Sequence, residues 1–107
     1  MTRIFVLFNL KEGVTAQDYE AWAMETDIPN VRSLKSIADF QVFKSTGVLG
    51  SDAAAPYAYI EVIDVADMEQ FGPDASSETM QKVAAEFQSL ADNPTFIMTG
   101  NLEAGSA

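Results

Sequence analysis

No cysteine and no histidine occur among the 107 residues. Without cysteine there is no disulfide, no thiolate metal site and no thiol nucleophile. Without histidine the usual general base near neutral pH is gone, and so is the commonest metal ligand. A Ser-His-Asp triad, a His-ligated haem and a His-based zinc centre are all excluded. Any acid–base work must fall to Asp, Glu, Tyr or Lys. Basic residues are scarce too: 6 Lys and Arg stand against 16 Asp and Glu, for a formal net charge of −10. Such a surface repels nucleic-acid phosphates and anionic membranes, so neither is an expected partner. Long apolar runs are missing as well, and no segment approaches the ~20 apolar residues of a membrane span. The opening MTRIFVLFNL has five successive apolar residues before Asn9, too short a run for a signal peptide. A soluble, cytoplasmic protein is expected.

What is present is ordinary globular usage, 48% hydrophobic and 21% charged, at a length that suits one domain over residues 1–107. Residues 3–9 (RIFVLFN) read as a strand that is apolar on both alternating faces. A strand of that kind is covered on both sides. Lys11-Glu12-Gly13 reads as a turn. Thr15 then sits where an N-cap would, with Asp18 three residues on to complete a capping box. The helix that follows is expected over residues 16–26, with Tyr19, Trp22 and Ala23 as its inner stripe. Pro29 restricts Ile28 and should interrupt it, leaving a short helical turn over residues 30–34. Strands are expected at 38–48 and 57–65, with a small-residue loop at 47–56. Asp64 is placed to cap a brief helix at 66–71, before a turn at Gly72-Pro73-Asp74. The last helix carries Met80, Val83, Ala84, Phe87, Leu90 and Ala91 on one face and ends before Asn93-Pro94. A fourth strand is expected at 95–102, and residues 103–107 read as a small-residue tail that frays.

The order β-α-β-β-α-β is the ferredoxin-like arrangement, an α+β fold with a four-stranded antiparallel sheet and both main helices on one face. Two helices cover one face only, yet the first strand is apolar on both. A second copy packed sheet to sheet is the economical cover, so a homodimer is expected.

One stretch stands out for chemistry. In Tyr57-Ala58-Tyr59-Ile60-Glu61-Val62-Ile63 the period of two puts Tyr57, Tyr59, Glu61 and Ile63 on one face. If that face is buried, Glu61 must be protonated, paired with a cation, or turned to a solvated pocket. The alternative is a wet Glu61 at a sheet edge. A cation is available nearby: Asp27 and Arg32 lie five residues apart around Pro29. Arg32 pairs either with Glu61 or Asp27 in a pocket, or with Asp27 at the surface, where the pair is worth little. Tyr19 and Trp22 are core residues or the flat aromatic wall of a pocket, to which Tyr59 adds a hydroxyl. Asn9, at the end of the first strand, either reaches the same mouth or serves a turn. The methionines read as core filler. Asp64 and Asp67 read as helix-start charges, and no set of residues suggests a metal.

The run YEAWAMETDIPNVRSLKSIADFQVFKS, followed by YAYIEV, resembles the REDY-like HapK family across nearly the whole chain. The resemblance implies the dimeric α/β-barrel superfamily, in which two ferredoxin-like sheets pack face to face. It also implies a place in secondary metabolism, since the family's namesake is associated with prodigiosin-type pigments. The family's label points to an Arg, a Glu, an Asp and a Tyr as signature residues. The positions here that fit are Arg32, Glu61, Asp27 and Tyr59. EthD-like relatives tend to carry a His before the proline that follows the first helix, where this chain has Asp27. Cofactor-independent monooxygenases of the same superfamily oxidise electron-rich aromatics with Trp, Tyr, Asn and Arg, the closest chemistry compatible with these residues.

The resulting expectation is a small-molecule protein of secondary metabolism that needs no cofactor and takes a small aromatic or hydrophobic ligand in one pocket per subunit. Arg32 would hold an acidic or carbonyl group, Glu61 or Asp27 would act as general base, and Tyr59 would donate to an oxyanion. Tyr19, Trp22, Tyr57 and Asn9 would contact the ligand. Two other readings stand beside it: a non-catalytic carrier of a hydrophobic intermediate, and a purely structural dimer.

Overall fold

Four strands, β1 (Thr2–Leu10), β2 (Ile37–Lys44), β3 (Tyr59–Val65) and β4 (Ala91–Thr99), form one antiparallel sheet in the order β2-β3-β1-β4. They are seen in a computed structural model of the chain, which describes residues 1–102. The expected fraying of residues 103–107 lies outside the described residues. Helix α1 (Ala16–Trp22) continues through a π-helical stretch, Ala23–Asp27, into α2 (Ile28–Arg32). The second crossover holds α3 (Met68–Ala75) and α4 (Glu78–Leu90). The fold is α+β and ferredoxin-like, with an added helix in the second crossover.

Alternation along the strands sorts the two faces. Ile4, Val6 and Phe8 of β1 point to the helices and are buried, as are Tyr59, Glu61, Ile63 and Val65 of β3. They pack with Tyr19, Ala23, Val31 and Phe87 into one core. The opposite face carries Phe5, Leu7, Phe43, Ile60, Val62 and Ile97, brought together by register: Phe5 faces Val62 and Ile97, and Ile60 faces Leu7 and Phe43. Phe43 and Ile97 are 48% and 42% exposed. No element of the described residues covers this face.

Local chemistry explains the boundaries. Thr15 accepts from the Asp18 amide, and the Asp18 carboxylate accepts from the Thr15 amide, closing the capping box that starts α1. α3 departs from expectation. Its N-cap is Asp67, which accepts from the Glu69 and Gln70 amides, whereas Asp64 is a strand residue paired with Arg3 at 2.6 Å. Gly72, Pro73 and Asp74 lie inside α3 rather than in a turn. The helix buries no residue, so water can satisfy the carbonyl that Pro73 leaves unbonded. β4 starts at Ala91, earlier than expected. Asn93, at φ 47, sits beside Pro94 in a register shift against β1. A left-handed residue and a proline are tolerated in a bulge on an edge strand.

Candidate functional site

The buried positions from α1 into α2 are Tyr19, Ala23, Asp27 and Val31, a strict spacing of four. A regular α-helix has about 3.6 residues per turn, so each i+4 step carries the stripe ~40° around the axis. Four such positions cannot all face one sheet unless the helix is underwound. The π-helical stretch supplies the underwinding: the Ile28 amide bonds to the Ala23 carbonyl, five residues back. Its cause lies in the sequence. Pro29 has no N–H to give, and its ring would strike the carbonyl four residues earlier, that of Glu25. Widening the turn relieves the clash and rotates Asp27 inward. Single π turns of this kind are frequent at functional sites.

Asp27 thereby meets Glu61. Glu61 lies on central strand β3, where its cross-strand neighbours are Val6 and Val42, so the sheet offers it no partner. Both carboxyl groups are buried, at 5% and 4% exposure, and they lie within reach of one shared hydrogen bond. Two carboxyls can share such a bond only when one keeps its proton. Burial pushes both upward in pKa, Asp27 to about 7, and the neighbouring Asp27 charge raises Glu61 further, well above the ordinary range. The pair therefore keeps a proton as the pH approaches neutral, with Glu61 raised the further of the two. The Tyr19 hydroxyl donates to Glu61 Oε2 at 3.1 Å. Its own pKa is raised, first by burial and then by the Glu61 charge.

The pair forms the polar floor of a cavity of about 200 Å³ between the sheet and α2, α3 and α4. Phe40, Ile63, Phe71, Val83 and Phe87 supply apolar wall, and Gln88 is the other polar residue on its lining. A second hollow, of about 170 Å³, lies on the other side of Tyr19, between α1 and strands β2 and β3. The Tyr59 hydroxyl there donates to Glu20 Oε2 at 2.6 Å, and Lys44 Nζ lies 3.0 Å from the same oxygen. Those two contacts hold the Glu20 carboxyl below its usual range.

The expected residues thus divide. Asp27 and Glu61 come together, with Tyr19 bonded to them. Arg32 does not join them: its Nε donates to the Phe40 carbonyl at 3.0 Å and lies 3.7 Å from Asp39 Oδ1, with half the side chain in solvent. The pairing of Arg32 with Glu61 or Asp27 is corrected accordingly, since the π turn that carries Asp27 inward leaves Arg32 at the rim of β2. Tyr59 is buried but serves the second hollow. Trp22 donates to Glu86 Oε1 at 2.9 Å, latching α1 to α4. Tyr57 is partly exposed in the strand approach. Asn9 donates to the Pro56 carbonyl and accepts from the Ala58 amide, so it clamps the loop. Sequence reasoning did not place Phe71, Met80 and Gln88 on the cavity. The amphipathic pattern of α4 marked Met80 as inward but could not distinguish a packed side chain from a lining one. Among the described residues no group of Asp and Glu is arranged to hold a metal ion, and no helix is long and apolar enough to cross a membrane.

Comparison with known proteins places this geometry in context. A family model described as REDY-like protein HapK matches residues 2–102. No curated protein sequence matches the chain. Among solved structures, HapK from Hahella chejuensis is 26% identical with a TM-score of 0.76, over 100% of this chain and 98% of the other. The Arabidopsis thaliana protein At3g17210 is 14% identical with a TM-score of 0.80, over 96% and 97%. SnoaB from Streptomyces nogalater, a cofactor-independent oxygenase, is 9% identical with a TM-score of 0.74, over 95% and 93%. The last two likenesses show the shared fold.

Proposed function

The chain belongs to the REDY-like HapK family, and from that premise we propose that it binds a small, mostly apolar molecule of secondary metabolism over the Asp27–Glu61 pair and moves a proton on it. One observation carries the reading: two buried, coupled carboxyl groups, one of them turned inward on the π-helical stretch, lie together on the floor of an apolar cavity. Burying two carboxyl groups is costly, and a packed core has no use for the expense. Asp27, raised to about 7, is matched to general-base work near neutral pH. Glu61 returns the proton, and the Tyr19 hydroxyl fixes Glu61 in place. The chemistry needs no cofactor, and the likeness in fold to a cofactor-independent oxygenase is compatible with it.

The working unit of this proposal is a homodimer joined through the open sheet face. Its support is the run of apolar side chains from Phe43 to Ile97 and the dimeric ferredoxin-like protein from Thermobifida fusca that shares the fold. A carrier role without turnover is the second reading, favoured by a cavity whose only lining polar group beyond the pair is Gln88 among the described residues. The test is a protein-observed NMR titration with aromatic and heterocyclic metabolites. Binding should shift the amides of Val31, Phe40 and Val83, and Ala84→Phe, which fills the cavity, should abolish the shifts. Shifts confined to other surfaces would refute the reading. Conversion of a bound compound, lost in Asp27→Asn, separates enzyme from carrier.

A further inference from the structure

The two carboxyl groups are rich in acceptors and poor in donors. Among the described residues the Tyr19 hydroxyl is the one side chain that donates to them, apart from their shared proton. No backbone amide of the described residues caps the Asp27 carboxyl, and no Lys or Arg of the described residues lines the cavity. Each basic side chain seen in an ion pair is spent elsewhere: Arg3 on Asp64, Arg32 on Asp39, Lys44 on Glu20. An ionised carboxylate only accepts hydrogen bonds, so Asp27 keeps lone pairs that the protein leaves unfilled. The walls point the same way, because Phe40, Phe71, Phe87 and Phe96 line the cavity and aromatic rings attract a cation. The volume sets the size. A cavity of about 150 Å³ holds a benzene, so about 200 Å³ holds one ring with a short arm.

We propose that the ligand is a single-ring compound whose nitrogen donates to Asp27, an amine, an amidine or a protonated ring nitrogen, and that carboxylate and phosphate ligands are refused. This rests on the reading of the cavity as a binding site and adds the charge class of what enters it. The arm with the nitrogen points to the floor, the ring fills the aromatic part, and Gln88 lies at the rim.

Three probes of one shape test it: benzylamine, benzyl alcohol and benzoate, titrated near neutral pH with the cavity amides of Val31 and Phe40 as reporters. Benzylamine should bind at least about tenfold tighter than benzyl alcohol, the advantage of a charge-assisted hydrogen bond over a neutral one, and benzoate should not bind. Asp27→Asn should bring the amine-to-alcohol ratio close to one, whereas Glu61→Gln, which exchanges one neutral donor to Asp27 for another, should keep it. The variant series removes the general attraction of an acidic surface for amines, since that attraction persists in both variants. Equal binding of amine and alcohol, tighter benzoate, or a ratio unchanged in Asp27→Asn overturns the nitrogen assignment and leaves the cavity reading standing. Failure of all three probes to shift the cavity amides overturns both.

Discussion

Replacing Asp27 with Asn should stabilise the protein in mild alkali and not in mild acid. The sign follows from the pair. Asp27 has its pKa raised from 3.8 to about 7 by burial, so over that window the native state holds a proton that the unfolded chain has released. Stability tied to such a group is full below the unfolded pKa and is lost as pH rises through the folded one. With each pKa unit worth about 1.4 kcal/mol, the loss from Asp27 between pH 5 and pH 8 is roughly 2–3 kcal/mol. Asn has nearly the same volume, and its carbonyl oxygen can accept the Glu61 proton, so the substitution removes the ionisation and keeps the bond. Urea unfolding followed by Trp22 fluorescence, at one protein concentration and at both pH values, measures the effect. The variant-minus-wild-type difference should be larger at pH 8 than at pH 5 by roughly 2–3 kcal/mol, ~10 °C or more in midpoint temperature for a domain of this size. Taking the difference cancels the carboxylates that are not coupled to Asp27. A difference that is constant with pH, or one that grows toward acid, would refute the proton-sharing pair.

Tyr19→Phe takes away the hydroxyl that donates to Glu61 and leaves a buried acceptor short of a partner, a loss of about 1–3 kcal/mol readable by the same urea unfolding. An unchanged midpoint would show that the bond does not form. Val62→Lys places a charge in the middle of the open sheet face without touching the helix-covered core. Light scattering should report a dimer for the wild type and a folded monomer for the variant. A monomeric wild type would contradict the paired-sheet proposal.

Much of this architecture was legible in the sequence, because period and caps are local. The two apolar faces of β1 mark a strand that needs cover on both sides. The alternation in YAYIEVI groups Glu61 with Tyr59 and Ile63 on one face while leaving open whether that face is buried or wet, and the Thr15–Asp18 box fixes the start of α1. Asp27 and Glu61 were both recognisable as polar groups on apolar elements. Their pairing with each other was not, because charge complementarity favours an Arg32 partner and overlooks a proton as the third member. Arg32 turned elsewhere for a reason no linear pattern reveals: one wide turn of helix, forced by Pro29, rotates the residues before and after it by different amounts. The ends of β3 and β4 and the helical Gly72-Pro73-Asp74 depend on edge position and solvent access, which tertiary packing decides. The cavity itself depends on how far α3 and α4 stand off the sheet, a distance that amphipathic spacing does not encode.

The proton that Asp27 and Glu61 share can be observed directly. In protein labelled with ¹³C at the side-chain carboxyls of Asp and Glu, the surface groups should titrate near the ordinary carboxylate values of about 4. The signals of Asp27 and Glu61, assigned by their absence in Asp27→Asn and Glu61→Gln, should stay in the protonated-pair position through that range. Asp27 should then move near neutrality, with Glu61 responding in the same step as coupled groups do. Two independent titrations near pH 4 would contradict the account, because the pair would be two ionised carboxylates and the cavity floor would carry no proton to share.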